Sequence, residues 1–303
     1  MNGQFACRRR RRWPPKLETI QAYLFLLPTL IGLVLFNLVP IIASGVISFT
    51  NWDILTDAQF VGFQNYRTLV ADTLFQAAFK NTFYYTFVSV PLLIVIPFGL
   101  ALMLNQKIRG TVFFRTCFFM PVVTSTVAVS TVWFWIYNAD FGLINLLIYQ
   151  IFGVAGPNWL GSAQWAMPAI IIMSVWKSAG YNMVIFLAGL QGIPKNLYES
   201  ASIDGVTSWQ KLRYITIPLV SPTTFFVLIM TMISSFQVFE QTYMLTKGGP
   251  HYATLSMVYY TYQQSFEYFR MGYASAMAWV LFTVTMAFTF IQMYFQKKWV
   301  RYV

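Results

Sequence analysis

The stretch ESASIDGVTSWQKLRYITIP, residues 199–218, is a polar segment between two long apolar runs. The dipeptide Asp204-Gly205 predicts the end of a short helix, because glycine readily adopts the left-handed conformation that a helix C-terminus favours. Thr207 followed by Gln210 has the spacing of a capping box, so a second helix is predicted to begin there. The segment therefore predicts a helix, a glycine turn and a second helix that leads into the next apolar run.

The rest of the chain is strongly apolar. Of its 303 residues 57% are hydrophobic and 10% are charged, whereas soluble domains carry about 25% charged residues. A helix needs about 20 mostly apolar residues to cross about 30 Å of hydrocarbon. Spans of this kind are predicted near residues 20–48, 82–105, 114–137, 167–190, 219–243 and 273–295. The sequence therefore predicts an all-α integral membrane protein with six transmembrane helices.

The positive charges indicate how these spans are oriented. If the N-terminus is cytoplasmic, most of the 20 Lys and Arg residues fall in cytoplasmic segments, which is the positive-inside pattern. Both termini and residues 199–218 are then cytoplasmic. The run Arg8–Arg12 is interpreted as an orientation anchor on anionic lipid. Nucleic-acid binding and a cleavable export signal are less favoured, since the apolar core of such a signal would be shorter.

Groups that could perform catalysis or bind a metal are scarce. The single histidine, His251, leaves histidine-based metal sites and triads without a second member. Ser174 and Lys177 have the SxxK spacing of a serine–lysine hydrolase, but no oxyanion motif accompanies them. No phosphate-binding GxxxxGK motif occurs, so ATP and Mg²⁺ would have to bind a partner ATPase. We predict no catalytic residue, no metal site and no cofactor in this chain.

Lys177 needs an explanation, because a charge at the centre of a span costs about 2.5–3.5 kcal/mol on insertion scales. Such charges are usually paired or face a cavity. One interpretation is an intramembrane ion pair with Glu240, near the end of the fifth predicted span. The other is that Lys177 lines a hydrated substrate pathway. The sequence leaves both open.

Residues 199–218 also carry a family resemblance. The pattern EAA, three residues, G, nine residues, I-x-L-P is matched at Glu199, Ala201, Gly205, Ile215 and Pro218. Ser200 and Ile217 depart from it by small or isosteric changes. The pattern resembles the signature loop of binding-protein-dependent ABC importer permeases. Further stretches resemble the carbohydrate branch of these permeases, which includes the maltose, glycerol-phosphate and multiple-sugar types, and within it the first permease subunit. These stretches are FVGFQNY, FGLINLL, VWKSAGYNMVIFLAGLQGIP and LTKGGPHYAT.

This resemblance implies a type I importer permease fold that forms half of a translocation pathway in a bacterial or archaeal plasma (inner) membrane. The expected partners are a second homologous permease, two ATPase subunits, an external solute-binding protein, membrane lipid and a sugar or glycoside substrate, but no nucleic acid. The loop 194–218 would contain the cytoplasmic coupling helix that docks on an ATPase. The residues implied for this coupling are Glu199, Ser200, Ala201, Asp204 and Gly205.

The resemblance also indicates where a sugar would bind, since in maltose-type relatives it contacts the fourth and fifth spans. The matching positions here are Gly180, Met183, Thr231, Ser234, Ser235 and Val238. The last four form one helical stripe, close to Gln237, and hydroxyl and amide groups suit a sugar. Alternatively, these hydroxyls bond their own helix backbone, as is common in membrane helices.

The expected organisation follows from the spans and the family pattern. A basic cytoplasmic tail covers residues 1–19, and the first span with its outer loop covers 20–76. The permease core with five spans covers 77–296, and a second cytoplasmic tail covers 297–303.

Other interpretations explain less of the sequence. A helix–glycine–helix segment also suggests a DNA-binding helix-turn-helix, but the adjacent spans leave no three-helix core to support one. A plain amphipathic loop lying on lipid remains an alternative for the same segment. For the whole chain, an ion-coupled secondary transporter or channel would leave the loop unexplained, and an intramembrane hydrolase is less favoured still. We therefore expect a translocation subunit of an ATP-driven importer that is not itself an enzyme.

Overall fold

The computed structural model of this chain describes residues 17–106 and 109–300, so the predicted arginine anchor lies outside the described residues. The first span is one continuous helix at the periphery. It comprises α1 (Leu17–Leu33), a π-helical turn (Val34–Leu38) and α2 (Val39–Ile47). Near the end of α2, the Ser44 hydroxyl accepts a hydrogen bond from the indole N–H of Trp279 at 3.3 Å. The first span therefore contacts the rest of the chain mainly through α2.

A short extended segment follows the first span. Strand β1 (Thr50–Asn51) pairs antiparallel with β2 (Gln59–Phe60), with Thr50 opposite Phe60. These two-residue strands are the exception to the all-helical fold within the described ranges.

The second span is longer than predicted. Helix α3 (Gln64–Ala71) leads into α4 (Thr73–Leu104), which begins well before the predicted residue 82. The reason is a helix cap, because the Asp72 carboxylate accepts hydrogen bonds from the backbone N–H groups of Leu74 and Phe75. The polar beginning of α4 therefore extends beyond its apolar tract.

The third predicted span, 114–137, is not one straight helix. Helices α5 (Thr111–Val123) and α6 (Thr126–Ile136) meet at an angle of 99°. Thr124 is extended, and its hydroxyl donates to the carbonyl of Pro121 at 2.7 Å. Hydrophobicity alone predicts an unbroken span. Instead, α5 ends at Thr124, whose hydroxyl satisfies one of the carbonyls left unpaired at the helix end.

The fourth span is the central helix of the bundle. Helix α7 (Leu143–Phe152) is too short to cross a membrane, and α8 (Ala163–Gln191) follows it. Helix α8 packs against α4 and α5 and has many buried residues along its length. It extends a little beyond both predicted ends, 167 and 190.

The polar loop and the fifth span come next. They comprise α9 (Lys195–Ile203), α10 (Ser208–Lys211), a π-helical turn (Leu212–Thr216) and α11 (Ile217–Phe236). The helical segments 208–219 and 221–236 are bent by 62° relative to each other. The prediction that this span continues to residue 243 is wrong, because α11 ends at Phe236 and a new helix, α12 (Glu240–Thr246), follows a short break.

The last part of the chain forms a cap at one end of the bundle. It then returns to the other end, called the loop end, where residues 195–216 lie. Residues 237–270, called the cap, contain α12, α13 (Met257–Tyr262) and a π-helical turn (Gln263–Glu267). Helix α14 (Met271–Trp299) then leads back through the bundle. Within the described residues, four helices are long and apolar enough to span a membrane, or up to six if each bent pair counts as one span.

The buried core has apolar clusters at both ends of the bundle, and the one at the loop end lies where α4, α8 and α11 meet. Near the loop end, Leu104, Leu190 and Val220 belong to one apolar cluster. Near the cap, Leu69 and Leu255 belong to another. Between the two ends, α4, α8 and α11 also border a polar cavity, described next.

Candidate functional site

A cavity of about 360 Å³ lies among α4, α5, α8, α11 and α12. Its walls combine aromatic, hydroxyl and amide side chains with one ammonium group. The lining residues are Tyr85, Leu93, Val122, Lys177, Ser178, Tyr181, Asn182, Met230, Thr231, Ser234, Ser235 and Gln241. A cavity of this size and polarity, formed at the centre of the bundle, is suited to a small polar solute.

Asn182 fixes the geometry of this cavity. Its side-chain amide donates to the backbone carbonyl of Leu93 at 2.9 Å and to the Thr231 hydroxyl at 3.3 Å. Four residues after Leu93 in α4 stands Pro97, which has no N–H to donate to that carbonyl. Asn182 on α8 therefore replaces the hydrogen bond that the proline removes, and it joins α4, α8 and α11 at the cavity wall.

The predicted hydroxyl stripe on α11 borders the cavity. Thr231, Ser234 and Ser235 all line it. The Ser89 hydroxyl on α4 donates to the Ser235 hydroxyl at 3.4 Å, and Ser234 donates to the carbonyl of Met230 at 2.9 Å. The alternative that these hydroxyls bond their own backbone is thus realised for Ser234, whereas Ser235 contacts another helix.

The other predicted pathway residues lie elsewhere. Gly180 is a contact point between helices, because a side chain there would collide with the carbonyl oxygen of Phe118 on α5. Met183 is fully buried in the loop-end core, and Val238 is buried near the cap. Gln237 borders a separate groove that α14 also lines. None of these four side chains lines the central cavity.

Lys177 is half-buried and lines the cavity. Glu240 is exposed at the start of α12. Across residues 17–106 and 109–300, no carboxylate oxygen lies within the 4.0 Å of an ion pair with the Lys177 ammonium, so the predicted pair with Glu240 is not formed. Ser174, its partner in the hydrolase interpretation, donates instead to the carbonyl of Ile170 at 2.8 Å. That Lys177 lines a substrate pathway stays a prediction, and its position in the cavity wall agrees with it.

The second predicted site is the loop of residues 194–218, of which residues 195–216 are called the coupling loop below. Its first helix ends in a Schellman motif. The N–H of Val206 donates to the carbonyl of Ala201 at 3.0 Å, and the N–H of Gly205 donates to that of Ser202 at 3.2 Å. Gly205 has φ +73°, the left-handed conformation that its position predicts. The glycine turn therefore forms where the sequence indicated.

The second helix of the coupling loop begins with the predicted capping box. The Thr207 N–H donates to the Gln210 side-chain carbonyl at 2.8 Å, and the Gln210 N–H donates to the Thr207 hydroxyl at 3.4 Å. These two bonds satisfy donors that would otherwise lack a partner at the helix start. The turn between the two helices is thus ordered by short-range contacts.

The residues implied for coupling differ in exposure. Glu199, Ser200, Asp204 and Gly205 are exposed, whereas Ala201 is buried against the chain itself. Large apolar side chains that are not among the residues implied for coupling also lie at the surface of this loop. These are Ile203, 87% exposed, Trp209, 70% exposed, and Tyr214, 74% exposed. Exposed apolar groups of this size in a polar loop commonly mark a protein interface.

At the opposite end, Asp72 ties the cap to α4. One carboxylate oxygen caps α4, and the other accepts hydrogen bonds from the hydroxyls of Tyr260 at 2.7 Å and Tyr273 at 2.6 Å. Partial burial by itself raises the pKa of the Asp72 carboxyl, but the hydrogen bonds from these two hydroxyls and from the backbone N–H groups of Phe75 and Leu74 outweigh it and lower the pKa. The charged form of Asp72 is therefore the one that holds the cap.

No group of three or more His, Cys, Asp or Glu side chains in the described part of the chain could hold a metal ion.

Comparison with known proteins identifies the family. Residues 78–301 match the family of binding-protein-dependent transport system inner membrane components. The probable ABC transporter permease protein YesP of Bacillus subtilis is 35% identical over 306 residues, which cover 100% of this chain and 98% of YesP. The lactose transport system permease protein LacF of Rhizobium radiobacter is 34% identical over 285 residues, covering 92% and 95% of the two chains.

A solved structure has the same architecture. A chain in the crystal structure of a bacterial alginate ABC transporter, in complex with an alginate pentasaccharide-bound periplasmic protein, superimposes with a TM-score of 0.83 at 26% identity, covering 93% of this chain and 95% of that one. The chain belongs to the family of binding-protein-dependent transport system inner membrane components, as the motif in residues 199–218 indicated. It is a permease of the inner membrane and is not itself an enzyme.

Proposed function

We propose that this chain is one of two permease subunits of an ATP-driven importer that carries a sugar or sugar-like solute. An external binding protein would deliver the solute, and two ATPase subunits would bind ATP and Mg²⁺. The coupling loop and both termini would lie in the cytoplasm, with the cap on the outer side. This orientation is supported by the distribution of Lys and Arg, of which Lys195, Lys211 and Arg213 lie in the coupling loop.

The observation that carries this proposal is the position of the coupling loop. It directly joins α8 to α11, and these two helices contribute Lys177, Asn182, Thr231 and Ser235 to the cavity wall. A protein that docks on the loop would thus act on both helices that border the cavity. Since the sequence has no nucleotide-binding motif, a separate ATPase is the partner that this arrangement requires.

The docking surface would combine charge with apolar contact. Glu199, Ser200, Asp204 and Gly205 present polar groups, and Ile203, Trp209 and Tyr214 present large apolar ones. Aromatic residues at the centre of an interface commonly supply much of its binding energy. Ala201 would support the loop from within, because it is buried against this chain.

The solute pathway would pass through the cavity. Thr231, Ser234 and Ser235 supply hydroxyls, Lys177 supplies an ammonium donor, and Tyr85 and Tyr181 supply aromatic surface. Such groups hydrogen-bond sugar hydroxyls and cover the apolar faces of a sugar ring. Gly180, Met183, Val238 and Gln237 would act indirectly, by fixing the helices around the cavity. A relative that transports lactose and a structural match that transports alginate support a carbohydrate as the solute class.

The chain would accordingly divide as its sequence suggests. Residues 77–296 would form the permease core, and residues 20–76 would form a peripheral span with an outer segment. The remaining ends, 1–19 and 297–303, would be cytoplasmic tails.

The proposal can be tested by purification and reconstitution. Affinity purification of the chain from its own cells should recover an ATPase, a second permease and a solute-binding protein. In liposomes, the complex should take up a carbohydrate only with ATP and the loaded binding protein, when a panel that includes lactose and alginate oligosaccharides is offered. Uptake driven by an ion gradient without the ATPase would overturn the proposal in favour of a secondary transporter.

A further inference from the structure

Two side-chain hydrogen bonds close the coupling loop into one unit. The Tyr198 hydroxyl on α9 lies 2.9 Å from the Thr216 hydroxyl in the π-helical turn that precedes α11. The Lys211 ammonium donates to the Ser202 hydroxyl at 2.6 Å. The first helix of the loop is thus bonded at two points to residues 208–216, called the second limb below. One of these bonds is exposed, and the other is largely shielded from solvent. The Tyr198–Thr216 bond is called the clasp below.

The clasp lies at an irregular point of the helix. The Thr216 hydroxyl also donates to the carbonyl of Lys211 at 3.3 Å, so the Tyr198 hydroxyl is the donor within the clasp. In the same turn, the N–H of Ile217 donates to the carbonyl of Leu212, five residues earlier. Such π-helical turns are frequently found at functional sites. Thr216 therefore serves both the turn and the contact with α9.

The helix changes direction a few residues after this turn. The helical segments on either side of residue 220 are bent by 62°, and Pro222 lies just beyond the bend. The hydroxyl of Ser221 donates to the carbonyl of Pro218 at 2.6 Å, which Pro222 cannot reach with an N–H of its own. The second limb is therefore continuous with α11, which bends next to Pro222.

The helix beyond this bend borders the cavity. Thr231 lies 15 residues after Thr216, which corresponds to about 22 Å along an α-helix. Thr216 is 5% exposed, so breaking the clasp would leave a shielded hydroxyl without its donor. A displacement of α9 would reach α11 through the clasp without passing around the exposed Gly205 turn.

We propose that Tyr198 and Thr216 are positioning residues that transmit movement of α9 to the pathway helix α11. This inference rests on the proposed function, in which an ATPase docks on the exposed face of the coupling loop. With the clasp intact, α9 and the second limb move as one body. Without the clasp, α9 can move with the ATPase while α11 moves less. Less solute is then transported for each ATP that is hydrolysed.

The test measures solute uptake and ATP hydrolysis in the same reconstituted complex. Tyr198→Phe and Thr216→Val each remove one hydroxyl of the clasp. We expect a fall of roughly twofold to tenfold in solute moved per ATP, the range that a net hydrogen-bond contribution of about 0.5–1.5 kcal/mol predicts. The double variant should match Thr216→Val, because the Tyr198 hydroxyl has no partner in the clasp once Thr216 has lost its own hydroxyl. Thr216→Ser, which keeps the hydroxyl, should restore the ratio.

Tyr294→Phe is the control. It removes a tyrosine hydroxyl from a residue of α14 that is 70% exposed, outside the coupling loop and the cavity wall, and should leave the ratio of solute to ATP unchanged. An unchanged ratio in Tyr198→Phe would overturn the inference. So would a parallel loss of uptake, hydrolysis and yield of assembled complex, because that pattern indicates a merely structural role.

A second measurement does not depend on transport. Hydrogen exchange of the backbone amides at residues 212–216 should be faster in Tyr198→Phe than in the wild-type chain, and Tyr294→Phe should leave it unchanged. Equal exchange in Tyr198→Phe and the wild type would also overturn the inference. If the wild-type complex shows no ATP-dependent uptake at all, the proposed function fails, and the amide exchange still decides whether the clasp orders the turn.

Discussion

The coupling loop and the central cavity are built from contacts of very different range. In the loop, the capping box joins residues 3 apart and the clasp joins residues 18 apart. At the cavity, Asn182 reaches residues 49 and 89 positions away, and the Ser89–Ser235 bond spans 146. The loop can therefore order itself locally, whereas the cavity exists only once α4, α8 and α11 have packed. A substitution in the loop should alter coupling, and one at the cavity should alter folding as well.

The largest effect is expected at the contact between α5 and α8. In Gly180→Ala the added methyl meets the backbone carbonyl of Phe118, so the two helices must separate, at a cost of about 2–3 kcal/mol. Thermal unfolding in detergent micelles would measure the loss. Gly99→Ala on α4 is the matched control, because nothing lies within 4 Å of the added methyl there. Equal melting of the two variants would show that Gly180 does not limit the approach of the helices.

A smaller loss is expected for Asn182→Leu, which keeps the number and branching of the side-chain heavy atoms but removes the donor to Leu93 and Thr231. Because Pro97 cannot supply another donor, the carbonyl of Leu93 remains unpaired, at a cost of about 1–2 kcal/mol. Unfolding and uptake should both be impaired. Asn196→Leu, at an exposed position of the coupling loop, should leave stability almost unchanged. A loss of stability at Asn196 as large as that at Asn182 would remove the proposed contrast between the two regions.

Gly205→Ala tests whether the coupling loop is ordered by its own short-range contacts. Since Gly205 has φ +73°, alanine would be strained there by about 1 kcal/mol, and the strain should be confined to the coupling loop. We expect transport and ATPase binding to fall while the melting temperature of the bundle changes little. The control is Gly192→Ala, where the backbone is right-handed. A global loss of stability in Gly205→Ala would mean that the loop is not locally ordered.

The smallest expected effect is the pH dependence of the cap. The Asp72 pKa is lowered in the folded chain from its usual value of 3.8, so Asp72 contributes stability above about pH 4 and loses it as the pH falls through the lowered pKa. The contribution should stay below about 1 kcal/mol, because Asp72 is only partly buried and solvent screens it.

The measurement is the melting temperature at neutral and acid pH for wild type, Asp72→Asn and Asp57→Asn. Between these pH values the wild type should lose slightly more stability than Asp72→Asn. Asp57→Asn, which changes an exposed carboxylate, should follow the wild type. If Asp72→Asn also followed the wild type, the carboxylate would not hold the cap in its charged form.

Particular residues show why prediction succeeded in one region and failed in another. Gly205, Thr207 and Gln210 were interpreted correctly because each acts on neighbours within a few positions. The third and fifth spans are predicted as unbroken helices, but each is interrupted. Hydrophobicity does not reveal that helices end at Thr124 and Gln237. The start of α4 at Asp72 was missed for the same reason, since its cap lies outside the apolar tract.

The sequence predicts only some of the residues that line the cavity. The hydroxyl stripe on α11 could be found because its members share one helical face, and Lys177 stood out as a charge within a span. Asn182 was missed, because only packing shows that it faces the carbonyl that Pro97 leaves free. Gly180 was assigned to the pathway, but the approach of α5 places it at a helix contact.

By itself, the sequence determined the class of the protein and the construction of its coupling loop. Hydrophobic length, charge asymmetry and local turn chemistry suffice for these, because each depends on solvent or on near neighbours. The tertiary structure alone decided which polar groups meet at the cavity and why Lys177 has no ion-pair partner among the described residues. Those contacts join residues far apart in the chain, and their pairing depends on how the helices pack rather than on any local preference.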